Sequence, residues 1–120
     1  MSAFPVTLYH NPACATSRRV LALIEAHGHV PIIVRYLETG WTPERLEILS
    51  HAMHLHPRDL LRRKSLLAAQ LDLLEEGASD ERILEAMIRH PELVERPIVT
   101  TPLGTRLCRP AEQVESLLGA

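Results

Sequence analysis

The amino-acid sequence predicts an α/β protein with a mixed sheet, and the order of its elements is the reason. A strand, a helix and a second strand open the chain, a helical stretch fills the middle, and two short strands and a helix close it. A β-α-β unit implies a parallel pair of strands with a right-handed crossover. Such an order is typical of helices packed on a mixed sheet.

The first three elements follow from alternation and from helical spacing. Apolar residues alternate over Phe4–His10, which predicts a strand, and a turn follows at Asn11-Pro12. Apolar residues at helical spacing predict a helix over Thr16–His27, and Gly28 ends it. The β-branched run Ile32–Tyr36 predicts the second strand.

The remaining elements are predicted from caps, periodicity and turns. Thr42 as N-cap and Pro43 at the first helical position begin a second helix, which Pro57 ends. Further helical patterns cover Arg58–Leu61, Leu66–Leu74 and Asp80–Arg89, the last capped by Ser79. The late strands are Ile98–Thr100 and Thr105–Leu107, and Pro110 begins the final helix.

Length and composition exclude several classes of protein. The 120 residues predict a single domain over residues 1–120, and 46% hydrophobic with 23% charged residues is a globular composition. A net charge of -2 argues against a nucleic-acid partner or an anionic membrane surface. We identify no signal peptide and no apolar run of about 20 residues, so we expect no membrane segment. Two cysteines make no disulfide framework, and we expect a reducing, cytoplasmic location.

Cys14 lies between the first predicted strand and the first predicted helix. Free backbone N–H groups and the helix dipole at that end favour a thiolate over a thiol. His10, four residues upstream, and Arg18, in the next turn, are placed to add positive charge or a hydrogen bond. The same amides can bind an oxyanion. This local context leaves two interpretations open, a reactive thiolate and an ordinary buried cysteine.

Cys14 and Ser17 form a C-x-x-S motif. Because the second cysteine of a dithiol motif is missing, this helix cannot close its own disulfide. An external thiol or Cys108 must then resolve any adduct on Cys14. We favour packing beside the last strand as the role of Cys108.

Arginine suits oxyanions because it is permanently charged and planar. Arg62 follows a short helical stretch, Arg96 precedes Pro97 before a strand, and Arg109 follows Cys108. Any one of them alone is ordinarily a solvated surface charge, and spacing does not show whether they converge. His51, His54 and His56 are interpreted as a solvated face, so we predict no metal site. No nucleotide-binding loop motif is present.

Several stretches of the chain resemble the glutaredoxin-linked arsenate reductase family, from about Val6 to the C-terminus. Ala15, where glycine is common, and the Leu- and Ala-rich segment Ser65–Leu74 depart from the family pattern. The matching stretches are Tyr9-His10-Asn11-Pro12-Ala13-Cys14 with Thr16-Ser17-Arg18, Tyr36-Leu37-Glu38, Leu60-Leu61-Arg62-Arg63-Lys64, His90-Pro91, Arg96-Pro97-Ile98-Val99, and Thr101-Pro102-Leu103-Gly104-Thr105-Arg106-Leu107-Cys108-Arg109-Pro110.

The resemblance implies a thioredoxin-like fold with a central helical insertion and a role for each matched residue. Cys14 matches the nucleophile and His10 the histidine that favours its thiolate, with Thr16, Ser17 and Arg18 in support. Arg62, Arg96 and Arg109 match the arginines around the oxyanion. The implied reaction reduces arsenate to arsenite, with glutathione as co-substrate, glutaredoxin as partner and no bound cofactor.

Two alternatives remain open on the same fold. One is a glutaredoxin-like monothiol oxidoreductase that does not use arsenate, since C-x-x-S permits glutathionyl transfer by a single cysteine. The other is a regulatory module that acts through a partner surface, as in a branch of relatives that bind RNA polymerase. Those regulators usually carry a C-x-x-C motif, and in this chain Ser17 replaces the second cysteine of that motif.

Overall fold

A computed structural model describes residues 4–119 of the chain. These residues form two compact units. The first contains the described residues through Thr39 and those from Arg96 onward, and the second contains Gly40–Glu95. The predicted domain over residues 1–120 includes residues 1–3 and 120, which lie outside the described residues, and it stays a prediction.

The first unit is built on a four-stranded mixed sheet, as the sequence predicts. Its strands are β1 (Thr7–Tyr9), β2 (Ile32–Val34), β3 (Ile98–Thr101) and β4 (Gly104–Leu107), in the order β2-β1-β3-β4. Strand β1 pairs in parallel with β2, with Leu8 opposite Ile33, and antiparallel with β3. Strands β3 and β4 form an antiparallel hairpin.

Both early strands are shorter than predicted. Strand β1 ends at Tyr9 because the Asn11-Pro12 turn follows directly. Strand β2 ends at Val34 because Tyr36, predicted as the last residue of the strand, begins a short helix, α2 (Tyr36–Thr39).

Helix α1 (Ala15–Ala26) connects β1 to β2. It begins after Cys14, whose extended backbone (φ -91°, ψ 120°) makes it the N-cap residue. It ends where predicted, because Gly28 adopts φ +85°, which glycine reaches without the steric cost that a Cβ imposes. Val20 and Ile24 are fully buried on one face of α1 and join Leu8 and Val99 in one core cluster.

The predicted final helix is present over Ala111–Leu117, after Pro110, and it is a 3₁₀ helix. Its buried residues are Ala111, Val114 and Leu117. A spacing of three matches the three residues per turn of a 3₁₀ helix, so this geometry places all of them on one face. They belong to the same core cluster as Leu8 and Val99.

The second unit is helical and contains α3 (Pro43–Ala52), α4 (Leu66–Gln70), α5 (Asp80–Arg89) and 3₁₀ turns over Pro57–Leu60 and Pro91–Leu93. Both predicted caps are confirmed. The Thr42 hydroxyl accepts a hydrogen bond from Arg45 N–H, and the Ser79 hydroxyl accepts one from Arg82 N–H, each at 3.1 Å. This unit supplies the predicted central helical insertion.

The helix predicted over Leu66–Leu74 is wrong beyond Gln70. Asp72 has φ +59°, and the N–H of Leu73 returns to donate to the carbonyl of Ala68 at 3.0 Å. This turn buries Leu73, which is 2% exposed. Within residues 4–119, no helix has both the length and the apolar character that a membrane crossing requires.

Candidate active site

Asn11 organises the loop between β1 and α1. Its carbonyl accepts a hydrogen bond from Cys14 N–H at 3.0 Å, and its side-chain oxygen accepts one from Ala13 N–H at 3.0 Å. Its own N–H donates to the Ser17 hydroxyl at 3.1 Å. Asn11 is buried, so these bonds are shielded from water and fix the loop that carries Cys14.

Cys14 is half-buried at the amino end of α1. Burial opposes ionisation of its thiol, but the Ser17 amide, the Arg109 guanidinium and the Thr16 amide outweigh it and hold the pKa of Cys14 below its ordinary value. The amides make no ordinary cap hydrogen bond with the side chain, yet they favour its charged form. The site therefore stabilises a thiolate.

His10 acts on the loop through Ser17. Its Nδ1 lies 2.6 Å from the Ser17 hydroxyl oxygen, and both side chains are buried. Burial first, and then the charges of Arg35 and Arg18, lower the pKa of His10. The lowered pKa favours the neutral imidazole, and the contact that the structure shows for His10 is the hydrogen bond with Ser17.

Arg109 lies beside Cys14 and contacts the backbone carbonyl of Arg96. Arg109 Nη1 lies 3.9 Å from Cys14 Sγ and donates to the carbonyl of Arg96 at 2.9 Å. Arg96 is only 8% exposed, and its Nη1 has no hydrogen-bond partner among the described residues. A buried guanidinium with an unused donor fits an anionic ligand. The peptide bonds before Pro97 and Pro110 are cis.

The other predicted site residues have different surroundings. Arg62 belongs to the second unit, where it forms an ion pair with Glu95 at 2.8 Å. Its predicted contact with the oxyanion stays a prediction. Arg18 is exposed and donates to the carbonyl of Pro12 at 2.9 Å, so it ties the loop to the first turn of α1.

Cys108 is buried in the core of the first unit, as the packing interpretation predicts. Its sulfur lies 3.6 Å from the carbonyl of Arg106, and burial raises the pKa of its thiol to about 12. Both cysteines are free thiols. Cys108 is thus an inert apolar residue.

His51, His54 and His56 are all exposed, as a solvated face predicts. Across the described part of the chain, no three His, Cys, Asp or Glu side chains are grouped so that they could hold a metal ion.

Two residues of the site were not predicted as site residues: Asn11 was predicted in a turn and Tyr36 at the end of the second strand. The Asn11 signal was present, because an asparagine before proline commonly bonds the backbone two residues on. Tyr36 is fully buried, and its hydroxyl accepts a hydrogen bond from Arg96 Nε at 3.0 Å. A tyrosine in a core is expected to have a polar partner, but the sequence does not say which one.

The mixed sheet and the activated thiol at the start of its first helix define a thioredoxin-like protein with a single-cysteine C-x-x-S site. The family model described as "ArsC family" matches residues 9–117, so the chain belongs to the ArsC family.

Similar proteins carry the name arsenate reductase. The chain is 52% identical over 113 residues to arsenate reductase ArsI2 of Synechocystis sp., covering 94% of this chain and 81% of that protein. It is 47% identical to an arsenate reductase of Escherichia coli, with coverage of 94% and 80%. The solved structure of an arsenate reductase from Vibrio cholerae superposes with a TM-score of 0.91 at 41% identity, covering 98% of this chain and 100% of that one. These matches confirm the predicted family and fold.

Proposed function

We propose that this protein reduces arsenate to arsenite, with the Cys14 thiolate as nucleophile, glutathione as co-substrate and glutaredoxin as partner. The observation that carries the proposal is the position of Arg109, whose Nη1 reaches both the Cys14 sulfur and the Arg96 carbonyl. Relatives named arsenate reductase at 47% to 52% identity support the choice of substrate.

In the proposed reaction, Arg109 and Arg96 reduce the electrostatic repulsion between the thiolate and the arsenate. A thiolate and an arsenate are both anions, and they repel each other as they approach. Arg109 and Arg96 offset that repulsion, and the unused Nη1 of Arg96 is available to an arsenate oxygen. The free amides at the start of α1 add further donors for the anion. The family resemblance implies Arg62 as a further oxyanion-binding residue, and this role stays a prediction.

The proposed chemistry moves two electrons from two external thiols to arsenic. Cys14 Sγ forms a bond to arsenic(V), and an oxygen leaves as water. The glutathione thiol then forms a second sulfur–arsenic bond, and another water leaves. A glutaredoxin thiolate attacks the glutathione sulfur, and the electron pair of the breaking sulfur–arsenic bond passes to arsenic. The glutathione–glutaredoxin disulfide and arsenic(III) result, and hydrolysis releases arsenite from Cys14.

External thiols are needed because this chain offers no second reactive sulfur. Ser17 occupies the position that a second cysteine takes in a dithiol motif. The Cys108 thiol is buried, and a pKa of about 12 leaves it protonated at neutral pH. Both reductants belong to a reducing compartment, which agrees with the cytoplasmic location that we propose.

The test is a coupled assay in which arsenate, glutathione, glutaredoxin, glutathione reductase and NADPH are supplied and NADPH oxidation is followed. We expect turnover only when both glutathione and glutaredoxin are present. Cys14→Ser should lower the rate at least about a thousandfold, because the hydroxyl is not ionised at neutral pH. Cys108→Ala is the matched control and should keep activity within about threefold.

Full activity in Cys14→Ser would refute the proposed nucleophile. Glutathione–disulfide exchange that depends on Cys14 without any turnover of arsenate would favour the monothiol oxidoreductase. Capture of RNA polymerase by a protein inactive in both assays would favour the regulatory module.

A further inference from the structure

Tyr36 lies at the start of α2, at the carboxyl end of β2. It is 1% exposed, and its hydroxyl oxygen accepts a hydrogen bond from Arg96 Nε at 3.0 Å. The Asn11 side chain also acts on this hydroxyl, since a hydrogen-bonding interaction with it lowers the pKa of Tyr36 against the effect of burial. Because the ring is buried and its hydroxyl is hydrogen-bonded to Arg96, Tyr36 offers Arg96 an acceptor in a fixed position.

This contact decides which edge of the guanidinium remains available. A guanidinium carries five N–H donors in one plane, and it binds tetrahedral oxyanions through pairs of donors along one edge. With Nε held by Tyr36, that edge is the one between the two Nη atoms. Nη1 belongs to it, and it is buried without a partner among the described residues.

The backbone of Arg96 is held as well. Its carbonyl accepts from Arg109 Nη1, the same atom that lies 3.9 Å from Cys14 Sγ. The direction of the Arg96 side chain, however, depends on what Nε meets. Asn11 ties this direction to the site, because its carbonyl also accepts from Cys14 N–H.

We propose that Tyr36 is a positioning residue for oxyanion binding, whose hydroxyl fixes the Arg96 guanidinium so that its Nη edge meets the anion. This inference rests on the proposed function and adds a determinant of anion affinity to it. Tyr36 acts as a neutral phenol, since burial raises its pKa despite the neighbouring Arg96 charge. It does not take part in the chemical step.

The test measures arsenate binding without turnover. Iodoacetamide alkylates the Cys14 thiolate, and bound arsenate should protect it, so protection against arsenate concentration gives a dissociation constant. We expect Tyr36→Phe, which removes only the hydroxyl, to raise this constant about tenfold. The pKa of the Cys14 thiol should stay within about 0.3 units of wild type, because a neutral phenol adds no charge. A general loosening of the site would move both quantities.

A double-mutant cycle with Arg96→Leu shows whether Tyr36 acts through Arg96. In the Arg96→Leu background, Tyr36→Phe should change the dissociation constant by less than about twofold. If thermal unfolding shows that Arg96→Leu is not folded, Arg96→Met, which also has no N–H donor and no charge, provides the background. Tyr9→Phe, which removes the hydroxyl of the other buried tyrosine, is the matched control.

Three results would overturn the inference. One is an unchanged dissociation constant in Tyr36→Phe, and another is an equal loss in the wild-type and Arg96→Leu backgrounds. The third is a wild-type protein that arsenate does not protect, which would overturn the proposed function at the same time. The first two leave the proposed function standing, so the two failures are distinguishable.

Discussion

Replacing Arg109 with glutamine should raise the pKa of the Cys14 thiol. The guanidinium Nη1 lies 3.9 Å from the sulfur, and two unit charges about 4 Å apart interact by about 1 kcal/mol in water and about 4 kcal/mol at an effective dielectric constant of 20. Both side chains are half-buried, so solvent screening brings the value to roughly 1 to 2 kcal/mol. Since one pKa unit corresponds to about 1.4 kcal/mol, we expect a rise of about one unit.

The assay is the rate of Cys14 alkylation by iodoacetamide across pH, in the Cys108→Ala background so that one thiol reports. The midpoint of the profile gives the pKa of Cys14. Arg106→Gln is the matched control, because it removes the same charge from an exposed arginine on β4 whose Nη1 lies 3.5 Å from Gln113. If Arg109→Gln shifts the midpoint no further than Arg106→Gln does, the direct contact does not stabilise the thiolate.

Two further predictions concern stability. The lowered pKa of His10 means that the unfolded chain binds its proton more readily, so the free energy of unfolding should fall as pH drops below about 6.5, until the folded-state pKa is passed. Urea titrations across pH should show a weaker fall in His10→Gln, and identical profiles would contradict the buried neutral imidazole. Ser79→Ala should lower the free energy of unfolding by about 1 kcal/mol, because it removes the cap on Arg82 N–H. Ser65→Ala, at an N-cap whose side chain makes no cap bond, should cost less than half of that in the same urea titration.

Local rules predicted the elements whose signals lie within a few residues. The caps at Thr42 and Ser79 and the stop at Gly28 are confirmed because a side chain or a φ angle decides each of them on the spot. The spacing of apolar residues did not distinguish an α-helix from a 3₁₀ helix. The C-terminal segment was predicted as a helix without a helix type, and the structure shows a 3₁₀ helix whose buried residues Val114 and Leu117 are three positions apart.

The segment after Gln70 failed for a different reason. Leucines continue past the end of α4, so the apolar pattern alone extends the helix to Leu74. The chain turns at Asp72 because this buries Leu73 within the second unit. Burial of Leu73 thus overrides the helical spacing of the leucines, and no residue near Asp72 gives a sequence signal for this turn.

Some features of the candidate site also follow from local sequence, and others depend on the tertiary structure. The position of Cys14 at a helix start follows from local sequence, and so does the thiolate that free amides favour. The contact between Arg109 and Cys14 does not follow from local sequence, because 95 residues separate them and only the sheet brings them together. The resemblance to the arsenate reductase family implies this contact, but the spacing of the two residues in the sequence does not. The neutral state of His10 also depends on burial, which the sequence does not reveal.

The source of positive charge at the site has a functional consequence. A histidine that supported the thiolate by its charge would lose that support as pH rises through its own pKa, which for an ordinary histidine lies within the physiological range. Backbone amides and Arg109 keep their charge or dipole throughout the physiological range. His10 is therefore better used neutral, as a fixed partner for Ser17 in the loop. On this reasoning the thiolate fraction changes with pH only through the pKa of Cys14 itself. Arg96 Nη1, which has no partner among the described residues, stays free to bind the arsenate oxyanion.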